Sequence, residues 1–197
     1  MKLYKILLPV AAVFMIAAAP VSETCTLSKD YSVTINGTSN LHSWDEKVET
    51  VTGTGSVTPN SDGSYDIDAI NMNMEVHSIK SDMGPAMNNN TYKALKADAH
   101  PQITFALTAP VKSVKAGTAA TAISAKCNLT IAGVTKPVVM QVKISMPQKG
   151  TMQFEGAQTI KMTDYGVTPP VALFGALVTG DEITIHFKTN FSVSINP

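Results

Sequence analysis

Catalysis and metal binding need reactive side chains that converge, and this sequence offers few. Its histidines are His42, His77, His100 and His186. No two stand one helical turn apart, the spacing that lets a pair grip one metal ion. His42 lies two residues before Trp44, the only tryptophan. A loop histidine beside an indole more often anchors a turn through a hydrogen bond than acts as a base. His186 falls among polar positions and is expected in solvent. No Gly-x-Ser-x-Gly elbow, phosphate-binding loop or dinucleotide glycine pattern occurs. Cys127 sits in an apolar register, which suits an inert buried thiol or half of a disulfide with Cys25. The expectation is a protein with no catalytic residue, no bound metal and no cofactor. An enzyme would need a perturbed histidine beside a carboxylate in a cleft.

Methionine is the other residue whose type suggests function. Met72, Met74, Met140, Met146, Met152 and Met162 all recur at alternate positions among aliphatic neighbours. Methionine is flexible and polarisable, so it suits adaptable binding surfaces as well as irregular cores. Both readings stand at this level: a cavity for an apolar ligand, or a filled core. The small residues Gly53, Gly55, Ala125 and Gly156 share the same phases and are expected to leave room.

The elements that position these residues are strands. From Ile183 to Ile195 the odd positions are Ile, Ile, Phe, Thr, Phe, Val and Ile, and the even ones are Thr, His, Lys, Asn, Ser and Ser. That period of two marks a strand with one apolar and one polar face. Seven further segments read as strands: 25–36, 48–57, 65–79, a segment beginning after Pro101, 118–132, 138–146 and 152–162. Asp62-Gly63 is a hairpin signal. Residues 91–97 read as a short helix between the third and fourth strands, Gly37–Asp45 and Asn88–Asn90 as loops, and 164–180 as a long apolar loop. Eight long two-faced strands with short connections predict an all-β, eight-stranded antiparallel up-and-down barrel. In such a barrel the first and fifth strands face each other across the interior, too far apart for a Cys25–Cys127 bridge. A two-sheet sandwich would show the same alternation. So would an outer-membrane barrel with its faces inverted, although aromatics are only 6% and form no girdles at the strand ends.

Lys2 and Lys5 precede the apolar run Ile6–Ala19, the make-up of a secretory signal peptide. The run falls short of the roughly 20 residues that span a bilayer. Cleavage after Ala18 would leave residues 19–197 as one domain, with no membrane span, in the periplasm or secreted. Without Lys2 and Lys5, 13 basic residues face 15 acidic ones, a net charge of −2, and the chain contains no arginine. Nucleic acid is a poor partner for such a surface. The chain is expected as a monomer or dimer.

Five segments in order carry a family resemblance: Gly37-Thr-Ser-Asn-Leu-His-Ser-Trp44, His100-Pro-Gln-Ile-Thr-Phe105, Leu129-Thr-Ile-Ala-Gly-Val-Thr-Lys-Pro-Val138, Asp164-Tyr-Gly-Val167 and Gly180-Asp-Glu-Ile183. Together they resemble the YceI-like family of secreted bacterial proteins, also called polyisoprenoid-binding, lipocalin-like proteins. The resemblance implies a barrel with a tubular apolar pocket, no enzymatic activity, and a ligand such as an isoprenoid quinone or another amphiphilic lipid. Cys127 stands where the family commonly has glycine, and its side chain would narrow the tube there. The apolar phases supply the candidate ligand-binding residues Ile35, Met72, Met74, Phe105, Leu129, Ile131, Val138, Met140, Val142, Phe154, Ile160, Ile185 and Phe187. Trp44, Tyr92 and Phe174 are candidates at the rim, on the His42–Trp44, 88–92 and 164–174 segments. The competing expectation is a structural or stress-related secreted barrel with a filled core.

Overall fold

A computed structural model describes residues 21–194. The signal-like segment and Ile195 lie outside those residues. Among the described residues twelve strands occur in chain order: β1 (Glu23–Ser39), β2 (Ser43–Val48), β3 (Val51–Pro59), β4 (Tyr65–Glu75), β5 (Ile79–Lys80), β6 (Gln102–Leu107), β7 (Val111–Val114), β8 (Thr121–Ile131), β9 (Val134–Gln148), β10 (Thr151–Lys161), β11 (Val171–Ala172) and β12 (Leu177–Val193). Eight of them close a ring in the order β1–β3–β4–β6–β8–β9–β10–β12–β1, every neighbour antiparallel. These are the eight strands that the alternation predicts. The ring hides its apolar face inside and leaves no open edge among its members.

The faces follow the pleat. Val142 and Phe154 are buried, whereas Lys143, Glu155 and Lys188 are exposed. Ile185 and Phe187 are only half-buried because they border a hollow. Charged residues on the outer surface are the reverse of a lipid-facing barrel. Among the described residues no helix is long and apolar enough to cross a membrane.

Four elements depart from the sequence reading. The Gly37–Asp45 segment is mostly strand: β1 runs to Ser39, and β2 pairs with it from Thr34↔Lys47 to Thr38↔Ser43. β2 and β3 run along the same side of β1 and are separated by Glu49 and Thr50. The Tyr31 hydroxyl fills the gap between them, donating to the Glu49 carbonyl at 2.7 Å and accepting from the Val51 N–H at 3.0 Å. The helix, α1 (Pro85–Ala94), follows β5 and starts six residues before its expected position. Gly84 turns into it at φ 93° and Pro85 supplies a preset φ with no N–H to satisfy. Asn88 contributes through its side chain, whose oxygen accepts the Ser81 N–H at 2.8 Å. The asparagine run therefore belongs to the helix. Finally, β11 is a short strand inside the 164–180 segment expected to be a loop and pairs with β12, and β7 is a short strand, paired with β4, where the sequence reading placed no element.

Buried side chains form two clusters along the barrel axis. One, at the end carrying α1, includes Val33, Val48, Ile103, Ile131, Ile160 and Tyr165. The other, at the opposite end, includes Cys25, Ile67, Cys127, Ile144, Met152, Phe154 and Phe191. Phe154 and Phe191 meet edge to face with ring centres 5.5 Å apart, which plugs that end.

Candidate ligand-binding site

Between and beside these clusters the barrel is hollow. About 210 Å³ remains in which the centre of a water molecule could move. The walls are almost wholly apolar. Of the expected residues, Ile35, Trp44, Met72, Met74, Phe105, Leu129, Ile131, Met140, Val142, Phe154, Ile160, Ile185 and Phe187 border this space. Alternation puts them there, because each occupies the inward phase of its strand.

Three expected residues do not border it. Val138 faces inward opposite Cys127 but is packed between the two clusters. Tyr92 turns away from the hollow: its hydroxyl accepts from Lys80 Nζ at 2.6 Å and sits 2.8 Å from the Ile79 carbonyl oxygen, with Lys80 also over its ring. A phenol with polar partners available outside does not turn its oxygen into an apolar tube. Phe174 is fully exposed, on a turn with φ 53° that carries its ring away from the barrel.

The glycines do not act as spacers. A Cβ on Gly156 would lie 2.7 Å from the Phe187 ring, its cross-strand partner. On Gly53 it would lie 3.1 Å from both Leu27 and Phe191, and on Gly55 2.9 Å from the Cys25 sulfur. Their missing side chains are replaced by neighbours, so they thicken the filled part of the core. Gly37 likewise receives the Trp44 indole, whose Nε1 donates to the Thr38 carbonyl at 3.1 Å. Cys25 and Cys127 are free thiols, and burial pushes both up to about 11.

One end of the hollow is built differently. Met87, Asn90, Thr91, Ala94 and Leu95 border it at spacings of three and four, one face of α1 and the residue after it. Across from the helix stand Trp44 and Glu46 on β2, Gln158 on β10, and Tyr165, Val167 and Pro170 from the connection between β10 and β12. The three rim segments expected from the sequence thus meet at this end. Glu46 was not expected. It lies on the inward phase of β2 between Trp44 and Val48, is 2% exposed, and accepts the Thr91 hydroxyl at 2.6 Å. Burial raises its pKa, against the lowering effect of the Thr91 bond, and the nearby Asp45 charge adds to the rise. Gln158, also inward, was passed over in the same way; its amide donates to the Thr159 carbonyl.

The histidines stay apart. His42 holds its own turn, with Nδ1 3.1 Å from the Ser43 carbonyl oxygen. His77 is exposed, 3.8 Å from a fully exposed Asp98. His100 packs over Gly133, and His186 is on the outer face. Among the described residues no three His, Cys, Asp or Glu side chains are placed to hold a metal ion.

The YceI-like domain model matches residues 26–191. Among solved structures, a polyisoprenoid binding domain from Saccharophagus degradans, implicated in plant cell wall breakdown, is 12% identical. It aligns with a TM-score of 0.68 over 86% of this chain and 98% of that one. BcnA of Burkholderia cenocepacia is 19% identical, with a TM-score of 0.60 over 81% of this chain and 95% of that one. The Campylobacter jejuni YCEI protein is 16% identical, with a TM-score of 0.52 over the whole of both chains. No curated protein matches this sequence.

Proposed function

This chain belongs to the YceI-like domain family, and on that premise we propose that it is an exported, non-catalytic binding protein that carries an isoprenoid or other amphiphilic lipid inside its barrel. The observation that carries this reading is the hollow itself: an apolar, aliphatic and methionine-rich tube with Glu46, Asn90, Thr91 and Gln158 at the end under α1. Each buried methylene contributes about 0.8 kcal/mol, so one five-carbon isoprene unit contributes on the order of 4 kcal/mol. A tail alone could therefore supply the affinity, with loose selectivity for its length. The likeness to a domain described as polyisoprenoid binding supports an isoprenoid, a class that includes isoprenoid quinones and their reduced, phenolic forms. The plugged end, filled by Phe154, Met152 and Phe191, limits how deep a tail reaches.

The test is mass spectrometry of organic extracts from the natively purified protein. A stoichiometric long-chain lipid is expected. A lipid-free protein that also takes up no lipid in solution would leave the barrel a structural unit. Export rests on the Lys2/Lys5 segment and its apolar run. N-terminal sequencing of the protein from its producing cell is expected to begin near Ala19, outside the cytoplasm; an intact Met1 in the cytoplasm would refute it.

A further inference from the structure

A carboxyl group in an apolar tube is costly unless something is gained from it. Glu46 occupies a position where the β2 pattern would accept an aliphatic side chain as readily as Val48 two residues on. Glu46 borders the hollow, and the one hydrogen bond its carboxyl accepts among the described residues comes from Thr91, which borders it too. A carboxylate has about four acceptor sites, so capacity remains on the side of the cavity. The neighbouring polar groups, Asn90, Thr91 and Gln158, are all neutral. Among the described residues that border the hollow there is no Lys, Arg or His, and Glu46 is the sole acid.

We propose that Glu46 selects the ligand's head group: the hollow takes an apolar chain ending in a group that donates a hydrogen bond and carries no negative charge, an alcohol, phenol or ammonium, and disfavours a phosphate or carboxylate. This rests on the lipid-binding reading above. The head lies under α1 against Glu46, and the tail runs toward Phe154 and Phe191. A donor head satisfies the free side of the carboxyl. An anionic head meets like charge where little water screens it and no cation compensates.

Three probes with the same twenty-carbon tail separate the possibilities: geranylgeraniol, geranylgeranylamine and geranylgeranyl phosphate. Each is titrated at pH 8, below its aggregation concentration, into the delipidated full chain, displacing a fluorescent apolar dye. The alcohol and amine are expected to bind at least about tenfold more tightly than the phosphate, the effect of one hydrogen bond to a charged group. Glu46→Gln, which removes the charge but keeps shape and acceptor, should strengthen phosphate binding several-fold and leave the alcohol nearly unchanged. Glu46→Leu should weaken the alcohol and amine about tenfold. Equal binding of all three by the parent chain would overturn the head-group proposal and leave lipid binding standing. So would a preference that both variants retain. Failure of all three to bind would overturn the lipid-binding reading itself, and the proposal with it. The comparison within the parent chain decides even if a variant folds poorly.

Discussion

At the scale of single residues, the interior is governed by what each side chain leaves to its neighbour. Gly156 gives its space to Phe187 and Gly37 gives its space to Trp44, each directly across a strand pair. Such exchanges are invisible in one strand's alternation, which is why small inward residues read as room in the sequence. Glu46 was hidden for a related reason. A charged residue in an inward phase looks like an interruption of the pattern, and only Trp44 and Val48 on either side keep the phase. The thirteen lining residues that were legible are apolar ones on strongly alternating strands, where residue type and direction agree. Glu46 also gives stability a pH dependence. Burial raises its folded pKa, so the folded state binds the proton more tightly than the unfolded chain does. Its contribution is fully present below the unfolded value and is lost as pH rises through the raised folded value. Urea midpoints measured from about pH 4 upward are expected to show a downward component in that window. Glu46→Gln, which cannot ionise, should remove it; an identical pH profile in the two proteins would contradict the assignment.

At the scale of elements, the barrel wall depends on one break that a side chain repairs. β2 and β3 part at Glu49–Thr50, and the Tyr31 hydroxyl serves both sides of the gap. Phenylalanine at this position keeps the ring and strands two backbone groups, so Tyr31→Phe is expected to lower unfolding stability by about 1–3 kcal/mol. Denaturant titration of the ligand-free protein measures it. A loss near zero would mean that water takes over both bonds. The sequence showed β1 and β3 but not β2, because Ser43, Asp45 and Lys47 made its outer face look like a polar loop. The helix was displaced for the opposite reason. Asparagine is a poor helix former, and its run masked a helix that starts at Pro85 and is anchored by Asn88 to Ser81. The local turn at Gly84 and the preset φ of Pro85 set where α1 begins.

At the scale of the molecule, the hollow extends past the waist toward the plugged end. Ala125 borders it there, across from Met140 on the neighbouring strand. Ala125→Phe would fill the passage with apolar bulk and is expected to lower retention of a long tail while sparing shorter chains. Overpacking costs about 1–3 kcal/mol, so a thermal melt confirms that the variant folds before lipid content is compared. Unchanged retention would show that the tail stops short of Ala125. The closure of the ring carries a consequence of another kind. β1 pairs along its length with β12, from Cys25↔Val193 to Ser39↔Thr179. The first strand of the ring to be made thus waits for the last, and no rearrangement of the intervening hairpins can stand in for it. Partners so far apart in the chain make assembly slow. Until β12 emerges, both flanks of the unfinished sheet are unpaired templates of the kind that recruit other chains. A polypeptide built this way gains from being kept unfolded and escorted until β12 has been made.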